Sequence, residues 1–212
     1  MSLSEAATAE SGAWPEANLS GEAQMAHEAA LVARARAGDA DAWEALVGRH
    51  QEPVFRLAYL IVGDAADAED VAQEAFVRAY MALARFDATR PLRPWLLSIA
   101  ANLARNQRRS LGRYWAAMQR AFLAAPRHHA APPERTPAND ARRLREAVGR
   151  LRPDARDVVY LRYFLGLSEA ETAAALDIPP GTAKSRHSRA LAQLRAIIAA
   201  DYPDLREALG DD

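Results

Sequence analysis

Apolar residues recur at helical spacing almost without a break from Leu31 to about Ser110, and again from Ala141 to Ala200. Leu31, Val32, Ala35, Trp43, Leu46 and Val47 open the first run, and Val54, Leu57, Ala58, Ile61 and Val62 continue it. Gly63-Asp64 and Asp87-Ala88-Thr89-Arg90-Pro91 punctuate that run; Pro153 and Pro179 punctuate the second. No long stretch of β-branched residues argues for a sheet. Between the runs the pattern breaks down into Ala125-Pro126, His128-His129 and Ala131-Pro132-Pro133, the composition of a linker. Residues 1–27 are Ala, Glu, Ser and Gly with few large apolar side chains, and are expected to be disordered. The pattern predicts an all-α protein: an N-terminal extension (1–27), a helical domain (28–113), a flexible linker (114–140), a second helical domain (141–200) and a tail (201–212).

The second run contains the most specific local signal. Ser168 and Glu171 form a capping box, in which each satisfies a free amide in the first turn of a helix. Leu176-Asp177-Ile178-Pro179 stops that helix, because proline disfavours helical geometry at the residue before it. A second helix starts at Gly181-Thr182. On its wheel Ala183, His187, Ala190, Leu191, Leu194, Ile197 and Ile198 share one face. Ser185, Ser188 and Arg189 lie opposite, flanked by Lys184, Arg186 and Arg195. This is the layout of a helix-turn-helix whose second helix enters a DNA major groove. An ordinary amphipathic hairpin with a solvated basic face has the same periodicity.

Charge adds a second signal. The net charge is only −1, but it is segregated. Residues 1–30 carry Glu5, Glu10, Glu16, Glu22 and Glu28 without a basic residue, and Asp64, Asp67, Glu69, Asp70 and Glu74 form a further acidic block. Residues 88–113 hold Arg90, Arg93, Arg105, Arg108, Arg109 and Arg113 and no acid. Two local basic surfaces therefore remain available to nucleic acid. Cysteine is absent, which excludes disulfides and thiolate metal sites. No apolar run reaches the roughly 20 residues that span a bilayer, so no membrane insertion and a cytoplasmic location are expected.

Two helical segments carry candidate chemistry in the first domain. In Asp67–Tyr80 the wheel sends Val71, Ala75 and Val77, with Met81, inward, and Asp70, Gln73 and Glu74 outward, either as a solvated face or as a docking face for a basic partner. In Trp95–Arg109, Leu96, Ile99, Ala100 and Leu103 form the core side. Ser98, Asn102, Arg105, Asn106 and Arg109 form a polar stripe with Trp95 at its edge. Amides can read base edges, arginines neutralise phosphates, and an aromatic ring can stack on an unpaired base or pack in the core.

DAEDVAQEAFVRAY, RPLRPWLLSIAANLARN and LSEAETAAALDIPPGTAKSRHSRAL, in that order, resemble the extracytoplasmic-function (group IV) sigma factors of bacterial RNA polymerase over about residues 31–113 and 141–200. The resemblance implies a dissociable, non-enzymatic initiation factor without a cofactor or metal. It implies that Asp70, Gln73 and Glu74 bind the polymerase clamp helices. It implies that Trp95, Ser98, Asn102, Arg105, Asn106 and Arg109 contact the −10 element, with the loop Phe86–Pro94 pocketing a flipped base. Thr182, Lys184, Ser185, Arg186, Ser188 and Arg189 match the −35 helix. The further partners implied are the polymerase flap, promoter DNA and an anti-sigma factor. Asp177 stands where glycine is frequent, Thr172 and Ala175 where larger aliphatics are usual, and His187 where leucine often stands.

Two other classes fit less well. An enzyme would need catalytic spacing that His27, His50, His128, His129 and His187 do not provide. A stand-alone DNA-binding regulator would leave the acidic helix and the arginine–asparagine stripe without a role.

Overall fold

The computed structural model describes residues 21–121 and 137–202; the expected linker centre, His128-His129 and the tail beyond 202 lie outside the described residues. Every regular element among them is helical: α1 (Gly21–Arg36), α2 (Ala40–Val62), α3 (Ala65–Ala82), α4 (Leu92–Ala121), α5 (Pro137–Gly149), α6 (Pro153–Val159), α7 (Glu169–Leu176) and α8 (Pro180–Asp201). A 3-10 turn at Leu83–Arg85 follows α3, and a wide π turn at Tyr160–Phe164 extends α6. This is the all-α architecture that the periodicity predicts. The described helices reach Ala121 on one side of the Pro-rich stretch and start at Pro137 on the other, so both run into the segment expected to be a linker.

Caps explain where the helices begin and end. Asp39 accepts the Ala42 amide at the start of α2, and Asp64 accepts that of Asp67 at the start of α3. Gly63 closes α2 at φ 86°, a left-handed conformation that glycine adopts without Cβ strain. Pro153 opens α6 at its first turn, where the missing amide costs no hydrogen bond.

The first domain packs α4 against α2 and α3, with α1 laid across α2. Leu31, Val32, Leu46, Val54, Leu57, Ile61, Val71, Ala75, Leu96 and Ala100 are buried, as their spacing predicts. Two positions on α3 depart from the wheel. Val77 is 50% and Met81 79% exposed, because α3 packs on its neighbours through the alanine stripe Ala68, Ala72, Ala75 and Ala79. Helix α4 is buried over a wider arc than expected. Leu97, Ala101 and Ala104 are fully enclosed, while Ile99 and Leu103 are only half-buried, because α4 also meets α7 of the second domain.

Helix α1 starts at Gly21, so residues 21–27 of the segment expected to be disordered are helical, while residues 1–20 lie outside the described residues; Glu28 shows what holds α1 in place. One Glu28 carboxylate oxygen lies 3.0 Å from Nε2 of His50 on α2; the other accepts the Leu92 amide at the start of α4 at 3.1 Å. An ionised carboxylate only accepts, so His50 Nε2 is the donor. Glu28 is not loose tail charge: it joins three helices. Burial would raise its pKa, but the His50 hydrogen bond and charge, the Leu92 amide and Arg49 together hold it below the ordinary glutamate value. A carboxyl with a depressed folded pKa stabilises the fold above its unfolded pKa and loses that contribution as pH falls through its folded pKa. Glu28→Gln should therefore cost about 1–3 kcal/mol at neutral pH. In paired melts the gap between wild type and variant should close as the pH drops below about 4; a gap independent of pH would contradict this role.

Candidate nucleic-acid and polymerase interface

Helix α4 collects the first set of candidate residues along one stripe. Trp95, Ser98, Asn102, Arg105 and Arg109 recur every three or four residues, and Asn106 adjoins Arg105. Trp95, Ser98 and Arg105 are half-buried; Asn102, Asn106 and Arg109 are exposed. The Trp95 ring packs on Phe86, with centroids 4.6 Å apart. It is thus part of the wall of the Phe86–Pro94 loop in this state. Ser98 Oγ donates back to the Trp95 carbonyl at 2.7 Å. Arg105 Nε donates to the Ala101 carbonyl at 3.0 Å and also faces Asp157 of the second domain at 3.4 Å.

The loop before α4 is tied down at both ends. Arg36 donates through Nε to the Leu83 carbonyl at 2.9 Å and through Nη2 to that of Phe86. Asp87 Oδ1 accepts from the Thr89 amide and hydroxyl at 3.0 and 2.7 Å, an Asx turn that sets the loop's bend. Those two bonds hold the Asp87 carboxyl below the ordinary aspartate range.

On α3, Asp70, Gln73 and Glu74 are all exposed. The acidic block is not wholly uncompensated: Glu74 accepts from Arg78 Nε at 2.6 Å, and Asp67 accepts from Gln107 of α4 at 2.7 Å. An exposed i,i+4 pair such as Glu74–Arg78 contributes little to stability, so Glu74 can exchange partners readily. The exposed Val77, Tyr80 and Met81 adjoin these acids, giving the outer face of α3 a mixed acidic and apolar character.

In the second domain the capping box forms as predicted: Ser168 Oγ accepts the Glu171 amide at 3.2 Å, and Glu171 Oε2 accepts the Ser168 amide at 2.8 Å. Asp177 takes the left-handed position at φ 53°, the place glycine often fills. On α8, Lys184, Ser185, Ser188 and Arg189 are exposed, and Thr182 and Arg186 half-buried. The Arg189 side chain folds back onto its own helix, donating to the Ser185 carbonyl at 3.1 Å and hydroxyl at 3.2 Å. His187 is half-buried beside Tyr163, its Nε2 3.0 Å from the phenol oxygen. Helix α8 packs on α6 and α7, leaving its exposed polar face outward.

The wheel did not reveal Glu28, Arg36, Arg93 or Asp157. Each acts on a residue distant in sequence, and the only trace of this in the sequence is an arginine-only stretch needing a counter-ion from elsewhere. Among the described residues, no helix is long and apolar enough to cross a membrane, and no three metal-ligating side chains converge.

The chain matches the Sigma-70 region 2 family over residues 46–114 and the Sigma-70 region 4 family over residues 141–194. It is 36% identical to the RNA polymerase sigma-H factor of Pseudomonas aeruginosa, over 84% of this chain and 95% of that protein. It is 34% identical to the ECF RNA polymerase sigma factor SigL of Mycobacterium tuberculosis, over 80% and 96% of the two chains. Among solved structures, CnrH in complex with the cytosolic domain of CnrY superposes with a TM-score of 0.63 at 30% identity, covering 82% of this chain and 98% of that one. The Bartonella quintana sigma factor RpoE, in complex with the anti-sigma factor NepR, gives 0.57 at 25% identity, covering 74% and 97%. The chain belongs to the extracytoplasmic-function sigma factors, with region 2 carried by α2–α4 and region 4 by α5–α8. Its work is promoter-directed transcription initiation with RNA polymerase.

Thr172 is fully buried, and its hydroxyl has no hydrogen-bond partner. Thr172→Val keeps the shape and removes the unpaired group, so it should stabilise the domain by about 1 kcal/mol. Thermal melts check this; an unchanged or lower midpoint would show that the hydroxyl is satisfied.

Proposed function

We propose that this chain is a non-catalytic, cytoplasmic sigma subunit whose three exposed faces have separate jobs. The observation that carries the proposal is that the α3 acids, the α4 stripe and the outer face of α8 are presented by different helices of one chain. Asp70, Gln73 and Glu74 form the docking face for basic residues of the polymerase clamp helices. Val77, Tyr80 and Met81 add apolar area beside the charges, and a desolvated charge-assisted pair there contributes about 1.5–3 kcal/mol.

On α4, Asn102 is the base reader, because an amide offers a donor and an acceptor in fixed geometry. Arg105 and Arg109 neutralise phosphates, and Asn106 and Ser98 position the strand. Trp95, packed on Phe86, lines the pocket of the Phe86–Pro94 loop. On α8, Arg189 and Ser185 face base edges at the −35 element, with Thr182, Lys184, Arg186 and Ser188 on the backbone. Arg189 must leave its bonds to Ser185 to do so.

Two of the solved relatives, those reported above, are bound to CnrY and to the anti-sigma factor NepR. Their likeness supports control of this chain by an anti-sigma protein that covers the same faces. The polymerase flap is the expected partner of the second domain.

Asp70→Ala with Glu74→Ala should weaken binding to core polymerase at least tenfold, by about 1.4 kcal/mol or more, and leave the melting curve near that of wild type. Unchanged core affinity would remove these residues from the interface. Asn102→Ala should relax base preference at one −10 position, whereas Lys184→Ala should weaken every sequence alike and lower the salt slope by about one. A uniform loss from Asn102→Ala would make it a positioning residue.

A further inference from the structure

A cleft of about 560 Å³ opens where α1, α2, the start of α4 and the turn after α6 come together. Its volume lies within the range of about 300–1,000 Å³ that ligand sites occupy. Its chemistry is divided. Met25, Pro53, Pro91, Phe164 and Leu165 give it apolar walls, and Met25 is 57% exposed. Arg49, Arg56 and Arg93 add guanidinium groups.

Two acids share the cleft, and they do not cancel these arginines. Glu28 is committed to His50 and the Leu92 amide, and Arg49 already acts on it. Glu52 stands 3.8 Å from Arg56, with 82% and 56% of the two side chains exposed, a weak pair that water screens. Arg93 Nη2 donates to the Leu165 carbonyl at 2.7 Å, an acceptor that carries no charge. A positive excess therefore stands beside apolar surface, and low-dielectric walls focus such a field. The matching ligand is an acidic peptide with an aromatic anchor. A small anion such as phosphate would leave the apolar walls wet.

Such a segment is tethered beside the cleft. Residues 1–20 join α1 at Gly21. They contain Glu5, Glu10 and Glu16, no basic side chain, and a single aromatic residue, Trp14. Tryptophan is also the ring that guanidinium groups favour most. Gln24 and Met25, early in α1, already line the cleft. Gln24 lies about 4.5 Å of helix rise beyond Gly21. The seven residues from Trp14 to Gly21 reach about 25 Å when extended. So short a tether sets an effective concentration in roughly the millimolar range, and even a weak contact is then populated.

We infer that the acidic N-terminal segment is the ligand of this cleft, with Trp14 against Met25 and Phe164, and Glu16 facing Arg56. The seat draws on both domains. Helices α2 and α4 supply the arginines, and the turn after α6 supplies Phe164 and Leu165. It is independent of the roles proposed for Asp70, Asn102 and Arg189.

The test uses the full chain, untagged at its N-terminus, with Trp14→p-benzoylphenylalanine as a photo-crosslinker. Illumination at low salt, followed by peptide mass spectrometry, should join position 14 to Met25 or Phe164 of the same chain. Glu16→Lys and, separately, Arg56→Glu should each lower that yield about fivefold, because reversing one charge turns attraction into repulsion. Salt at about 1 M, where screening acts within about 3 Å, should lower it too. Circular dichroism checks that the Arg56→Glu chain stays helical. Glu16 precedes α1, so Glu16→Lys keeps the test valid if Arg56→Glu does not fold. Crosslinks between two copies would give the cleft to a second chain. Crosslinks to other faces, or yields indifferent to both variants, would leave the segment unseated. Any of these results overturns the assignment, while core-dependent transcription tests the sigma reading separately.

Discussion

The carboxylate of Glu28 is the contact on which the position of α4 depends. It accepts from His50 on α2 and from the first amide of α4, so one side chain fixes where α4 begins. A carboxylate at a helix N-terminus also meets the positive end of the helix dipole. From that anchor the seam Leu96, Leu97, Ala100, Ala101 and Ala104 lets α4 lie close to its neighbours, because alanine keeps side-chain bulk out of the contact. Arg36 then ties the preceding loop to Leu83 and Phe86. The stripe from Trp95 to Arg109 is presented as a rigid unit because its start and its buried side are both fixed.

Helix α4 is also where the two domains meet. The acid-free composition of α4 leaves its arginines attractive to any carboxylate within reach. Asp157 supplies one at the cost of its own burial. The 3.4 Å separation makes this a loose contact, and the described residues leave the cleft beside Arg93 unfilled. The polar face of α8 is exposed, on the side away from its packing against α6 and α7.

Much of this was legible in the sequence where a residue's role is decided within a helical turn or two. Ser168 and Glu171 announced the α7 cap, and the α8 wheel correctly separated buried Ala183, Ala190 and Ile198 from exposed Ser185 and Arg189. The acidic side of α3 was equally visible. What the wheel could not show was how many neighbours a helix has. It assigned one core side to α4, but contacts with α2, α3 and α7 enclose Leu97, Ala101 and Ala104 as well. It turned Val77 and Met81 inward because they are apolar, although alanines form the real packing seam of α3. Glu28 read as surplus acidity, and Asp157 carried no signal at all, because a pair formed across a domain junction leaves no local period. The readings of Asp70, Asn102 and Arg189 as partner contacts rest on exposure and chemistry together.

The account stands most directly on transcription by purified components. Core polymerase, this chain and a library of templates with randomised −35 and −10 segments should give initiation only when chain and core are both present. The transcribed templates should share two short motifs at a fixed spacing. Initiation that does not depend on the chain, or a chain that binds core tightly yet selects no template, would contradict it.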